Sequence, residues 1–220
     1  FDASTLISFS MNGLFEELRK LKEIFDGKFL ITSDVKREII DKPMTIDRFK
    51  FEALRLNQLL EDKILEMPVA VGVEDNEISG ETQSYKEIAN SIFESKDGSI
   101  HVLDSGETSC LALSRILDNK KIKNIIAVDE RTLRMLVEKP DNLRDLLERR
   151  SHTKITLKKN NFKSFKGFRL IRSTELIYVA YKKGLIKVGN GKLLDALLWA
   201  LKSKGCAITN EEIVEMKRLG

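Results

Sequence analysis

The chain reads as an α/β fold, a central and mainly parallel sheet flanked by helices. Three observations predict it. Through most of the 220 residues, short apolar runs alternate with segments whose apolar residues recur at helical spacing. Two successive strand-turn-helix units, one around Asp104–Glu107 and one around Asp129–Glu130, repeat the same arrangement. Acidic residues sit at the joints, on the sheet edge where open parallel sheets build their sites.

Phe1–Ile7 reads as the end of a first strand with Asp2 at its C-terminal tip. Leu14, Leu18, Leu21 and Phe25 share a face, which predicts a helix from about Met11 to Phe25, stopped by Gly27. The run KFLIT at 28–32 is a second strand. Ser33 or Asp34 caps the next helix, with Val35, Ile39 and Ile40 on one side and Glu38 about one turn in. From Asp41 to Gly98 the alternation breaks. Thr45–Asp62 is a predicted helix with Phe49, Leu56 and Leu60 inward, and Lys63–Val73 is strand-like with Pro68 arguing for an edge. Glu81–Glu94 is a second amphipathic helix. The acidic stretch Glu74–Glu77 reads as a solvated turn rather than a metal site.

The run IHVL at 100–103 is a predicted strand leading through Asp104 and Glu107 into a helix with Leu111, Leu113 and Leu117 inward. NIIAV at 124–128 ends directly on Asp129 and Glu130, and Leu133, Leu136 and Val137 follow on one helical face. Asp141 caps a short helix through Arg149. Phe168–Arg172 is a further strand. Ser173 or Thr174 caps a helix ending at Gly184, and Gly189–Gly191 is a turn. Lys192–Lys204 is amphipathic, with Leu193, Leu197, Trp199 and Leu201, and Thr209 or Asn210 caps the last helix. One domain over 1–220 is expected, with an insertion at about 44–100 and a basic extension at about 144–172.

Charged residues make up 33% and apolar ones 42%, and the longest apolar runs are far too short to span a bilayer. No basic-then-apolar leader opens the chain, so no membrane association and a cytoplasmic location are expected. The chain begins on Phe1 rather than Met, so an earlier start is expected. Cys110 and Cys206 lie in apolar surroundings and read as reduced core residues. The net charge is +4, but its distribution is uneven: Glu74–Glu107 holds nine acids against two bases, and Arg144–Arg172 holds ten bases against two acids. A basic side suits a phosphate backbone, although a solvated lysine-rich surface accounts for the charge equally well. Phe162, Phe165 and Phe168 alternate with Lys163, Lys166 and Arg169. That pattern either grips a strand and stacks its bases or places three Phe in the core.

Four acids fall at predicted strand-to-helix junctions: Asp2, Glu38, Glu107 and Asp129. Gathered together they would repel each other, and Mg²⁺ or Mn²⁺, which take oxygen ligands, would relieve the repulsion. Such an ion activates water and stabilises charge growing on a phosphodiester, so hydrolysis of that bond is the natural reaction. Any one of these acids alone is better explained as a helix cap. Other chemistries fit less well. With only His101 and His152 there is no zinc set of familiar spacing, no G-x-S-x-G elbow precedes a helix, and no Walker A run exists.

The order FDASTLI, TSDVKREII, DSGETSCLALS, AVDERTLR, RSTELIYVAYKKGLI resembles the PIN-domain nucleases, the family that includes VapC-type toxins. The resemblance covers most of the chain. It implies that Asp2 is the first acid, Ser4 the hydroxyl residue after it, Glu38 the acid of the second helix and Glu107 the acid of the Gly-Glu variant of the third motif. Asp129 matches the fourth acid, Glu130 the second acid beside it and Arg134 the basic residue that follows. Two features depart from the pattern. Asp104 lies three residues before Glu107, leaving open which is the third ligand with the other secondary, and Glu130 stands where Asp is common.

The family's fold resembles the flap-endonuclease core, and its members bind Mg²⁺ or Mn²⁺, cut RNA and often form dimers. The expectation is therefore a metal-dependent endonuclease acting on RNA ahead of DNA. Asp2, Glu38, Glu107 and Asp129 would hold metal, with Ser4, Arg134, Lys163, Lys166 and Arg169 at the substrate. A homodimer, an antitoxin or another protein partner is in keeping with that family. The alternative is a PIN-fold module that binds RNA or protein without cutting.

Overall fold

The computed structural model describes residues 1–96, 98–186 and 192–219, so the turn expected at Gly189–Gly191 lies outside the described residues. In chain order the elements are α1 (Ala3–Met11), α2 (Phe15–Ile24), α3 (Ser33–Lys36), α4 (Lys50–Glu61) and α5 (Asp75–Ile92). There follow β1 (Phe93–Ser95), β2 (Gly98–Ser99), α6 (Ser105–Asn119), β3 (Ile126–Ala127), α7 (Arg131–Glu138), α8 (Pro140–Ser151), β4 (Thr156–Leu157) and β5 (Leu170–Ile171). The chain closes with α9 (Ser173–Lys182), α10 (Leu193–Ser203) and α11 (Asn210–Leu219). The fold is mixed α/β and mostly helical. Among the described residues no helix is long and apolar enough to cross a membrane.

The chain divides into two compact units. The first comprises Phe1–Met67, Ala127–Glu130 and Ile171–Gly220, and the second Pro68–Ile126 and Arg131–Leu170. In the first unit, extended segments lie side by side. Leu30 and Glu66 form a parallel bridge, and the Phe1 amino group donates to Leu30 O at 2.6 Å. The Asp2 amide donates to Ala127 O at 2.8 Å, and the Val128 amide to Ile171 O at 2.8 Å. Most of these contacts are single rungs, so the paired strands are much shorter than the apolar runs that carry them.

Residues 3–7 are helix, not strand. On α1, Ala3, Thr5, Leu6, Ser8, Phe9 and Ser10 are all buried, so the helix is enclosed on nearly every side. A helix without a polar face has no 3.6-residue contrast to betray it in the sequence. Gly13, at φ +69°, ends it: Leu14 N–H reaches Phe9 O and Gly13 N–H reaches Ser10 O, a Schellman closure that separates α1 from α2. The core is completed by Leu18 of α2, Val35 of α3, Leu56 and Leu59 of α4, Ile177 of α9 and Leu198 and Leu201 of α10. Trp199, expected inward, is 44% exposed, because the buried row of α10 is Leu194, Leu198 and Leu201.

In the second unit α5 packs along α6. The small sheet has the order β2-β1-β4, with antiparallel pairing throughout. The run IHVL is not a strand among the described residues. The Val102 and Leu103 amides donate to Asn90 Oδ1, at 2.6 and 3.2 Å, which removes them from any ladder. The acidic stretch Glu74–Glu77 opens α5 as a capping box.

Candidate functional site

Asp2 and Asp129 are the two expected ligands that the first unit buries, at 2% and 1% exposure. Each stands where an extended segment turns into a helical one. Asp2 caps α1: its Oδ2 accepts from the Ser4 amide at 3.0 Å and from Ser4 Oγ at 2.5 Å. Ser4 Oγ in turn accepts from the amides of Asp129 and Glu130, at 3.0 and 3.2 Å. One hydroxyl thus joins the two acidic segments. Ser4, expected at the substrate, has its only hydroxyl hydrogen on Asp2.

Asp129 is held from the other side by Ser173. Its Oδ1 accepts from the Ser173 amide at 2.7 Å and from Thr5 Oγ1 at 3.5 Å, and its Oδ2 accepts from Ser173 Oγ at 2.6 Å. A carboxylate has about four lone-pair sites. With these donors in place, one remains on Oδ2. Ser173 was expected only as a helix cap. The cap position of α9 is Arg172, whose amide donates to Glu175 Oε2 at 2.6 Å, and the hydroxyl of Ser173, the first helical residue, goes to Asp129. The signal for Ser173 in the sequence was weak, a serine at an expected helix start, with Arg172 between it and Leu170–Ile171.

Burial raises the carboxyl of Asp2 above its ordinary range, and the Ser4 bonds oppose that shift without cancelling it. Among the described residues no Lys, Arg or His side chain pairs with either Asp2 or Asp129. Burial and then the charge of Asp129 push the thiol of Cys206 up to about 11. Cys206 is therefore a protonated core residue, as the sequence suggested.

Arg172 buttresses this site. It is 8% exposed, with Nε on Glu175 Oε1 at 2.7 Å and Nη1 on both Glu212 Oε2 and Ala207 O at 3.0 Å. The Ala207 amide donates to Asp129 O at 3.0 Å. Although burial alone would lower it, the pKa of Arg172 is raised by Glu175 and Glu212. Its guanidinium is committed to these bonds.

Glu38 is exposed and lies in a π-helical turn, Arg37–Asp41, that continues α3. Such turns are frequent at functional sites. Asp104 and Glu107 belong to the second unit and close a capping box at the start of α6: the Asp104 amide donates to Glu107 Oε2 at 2.8 Å. His101 Nε2 lies 2.8 Å from Asp104 Oδ1. Asp104 is thus the helix cap, and replacing it with Ala is expected to cost about 1 kcal/mol of stability. Urea denaturation would measure this, and an unchanged midpoint would contradict the cap.

Arg134 is largely buried on α7 and pairs with Glu138 at 2.8 Å. The aromatic trio belongs to the core: Phe162, Phe165 and Phe168 are 9%, 1% and 8% exposed. Tyr85 meets Phe165 and Phe168 edge-on, and Phe93 meets Phe162. No ring of the trio faces out to stack on a base. Lys163, Lys166 and Arg169 remain exposed around them, with Arg169 3.4 Å from Asp118.

Neither a family model, nor a curated protein, nor a solved structure matches the chain. Among the described residues no three His, Cys, Asp or Glu side chains gather as a metal-ligand group. What the structure brings together is a pair, Asp2 and Asp129, through Ser4.

Proposed function

We propose that the chain is a PIN-like endonuclease that hydrolyses RNA with Mg²⁺ or Mn²⁺. The observation that carries this reading is the pair of buried carboxylates joined by Ser4 Oγ, with no cationic side chain paired to either. Oxygen donors of this kind suit a hard divalent cation. Asp129 Oδ2 and the Asp2 carboxylate would hold it, and a bound ion would offset the cost of burying Asp2 ionised. When bound, the ion supplies charge stabilisation for a phosphodiester under in-line attack. Ser173, Thr5 and Ser4 orient the carboxylates. The side-by-side segments at 66, 30, 1, 127 and 171 support a frayed, central and mainly parallel sheet, and the motif order described above agrees with it. Glu38, which belongs to the same unit, is the further ligand in this reading.

One observation favours a second reading. Glu107 serves a capping box, which suits a PIN-fold module that binds RNA or protein without cutting. Incubation of the chain with single-stranded RNA and Mn²⁺ separates the two. Cleavage that stops with excess chelator is expected, and RNA left intact with Mn²⁺ present would favour the binding module.

A further inference from the structure

The second unit contains a cavity of about 300 Å³ lined by Ser95, Ile100, Leu147, Arg150, Ser151 and Thr153. Among the described residues the lining is two aliphatic side chains, three hydroxyls and one guanidinium, without a carboxylate. Nearby acids are engaged elsewhere: Glu94 lies 3.1 Å from Lys158 Nζ, Asp145 2.8 Å from Arg144, and Glu148 accepts from the Ile155 amide at 2.9 Å. Arg150 is exposed, and so are Lys96, Arg149 and Lys154, each next in sequence to a lining residue. Arg150 is thus the charged side chain that lines the cavity among the described residues.

The hydroxyl hydrogens turn inward. Ser95 Oγ donates to Gly98 O at 3.2 Å, Ser151 Oγ to Leu147 O at 2.9 Å and Thr153 Oγ1 to Ser151 Oγ at 2.9 Å. The oxygen of Thr153 is left to accept. A ligand that satisfies this lining brings an anionic group for Arg150, a hydroxyl donor for the Thr153 oxygen, and a flat apolar face for Ile100 and Leu147. A ribonucleotide carries all three, and its 2′-hydroxyl is the donor that a deoxynucleotide lacks. The volume is at the small end of ligand pockets, suited to one nucleotide rather than a duplex.

We propose that this cavity holds one ribonucleotide of a single-stranded RNA, with Arg150 on its phosphate, Thr153 at its 2′-hydroxyl and Ile100 and Leu147 against its base. This assignment rests on the reading of the chain as an RNA-acting protein.

The test is fluorescence anisotropy with a labelled oligouridine decamer and its deoxy counterpart, in chelator so that nothing is cut. Arg150→Ala is expected to weaken RNA binding about tenfold and to reduce the salt slope by about one. Thr153→Val should lower the preference for RNA over DNA, while Lys204→Ala, an exposed lysine of the first unit, serves as the charge control. If Arg150→Ala does no more than Lys204→Ala, or if Thr153→Val leaves the RNA preference unchanged, the assignment is overturned. Displacement of the decamer by equimolar uridine monophosphate would also overturn it, in favour of a free-nucleotide pocket. Arg150-dependent binding without any cleavage in Mn²⁺ would remove the nuclease reading and leave the cavity assignment standing. Cleavage indifferent to Arg150 would do the reverse.

Discussion

Asp129→Asn is expected to lower Mn²⁺-dependent RNA cleavage by about a thousandfold or more. That corresponds to the several kcal/mol that a charge-stabilising ion contributes to such a reaction. The substitution removes the negative charge and turns one acceptor oxygen into a donor NH₂ group, facing either the Ser173 amide and Thr5 or the Ser173 hydroxyl. The Ser173 hydroxyl can accept from that NH₂ only by giving up its own bond to the carboxylate, a cost of about 1–3 kcal/mol, so a lower melting temperature should accompany the loss. Ser173→Ala separates the two effects. It keeps the ionised carboxylate and the amide bond to Oδ1 and removes only the hydroxyl on Oδ2. Groups that orient a metal ligand typically matter by about 10–100-fold, and a loss of that size is expected here. Single-turnover cleavage rates beside thermal melts would measure both variants. Full cleavage by a folded Asp129→Asn protein would exclude Asp129 from the chemistry.

Arg172→Met should give the largest loss of stability. The guanidinium is buried, contacts two carboxylates and a carbonyl, and ties the segment around Ala207 to the backbone of Asp129. Breaking a fully buried ion pair costs about 3–5 kcal/mol. Glu175 and Glu212 keep 33% and 41% of their side-chain surface exposed and can hydrate when abandoned, so about 2–3 kcal/mol is the better expectation. For a chain of this size that lowers the melting temperature by roughly 4–12 °C.

The pH dependence has a definite sign. Burial raises the carboxyl of Glu212, but the hydrogen bond and charge of Arg172 outweigh it and leave the folded pKa lowered. The stability this contributes is fully present above the unfolded value of about 4.3 and is lost as pH falls through the lowered folded value. Arg172→Met should therefore be less sensitive than the parent chain to acidification below about pH 4.3. Denaturation midpoints measured from pH 7 to 3 would show it. Curves that fall in parallel would mean that Arg172 does not set the acid response.

Asp129 was legible because it ends an apolar run and Asp2 because it opens the motif order, and the structure buries both where extended backbone turns helical. The role of Ser4 was legible only as a hydroxyl near the first acid, since its actual partners, the amides of Asp129 and Glu130, lie more than a hundred residues away in the chain. The Phe trio was ambiguous for a physical reason. Spacing by three fits a stacking surface and a buried turn equally well, and only the partners Tyr85 and Phe93 distinguish them.

By itself the sequence determined the helices that carry one apolar face, such as α2, the alternation that makes the fold mixed α/β, and the acids placed at its joints. Only the tertiary structure decided that residues 3–7 are helix, because a segment buried on nearly every side, whose exposed residue Ile7 is itself apolar, shows no polar periodicity. It alone decided that Glu107 completes a capping box and that Arg172 is locked in a buried network. It also showed that Ser173, expected only as a helix cap, holds Asp129. Each of these outcomes depends on which groups compete for the same donor or acceptor, and that competition is settled by neighbours in space that no local pattern records.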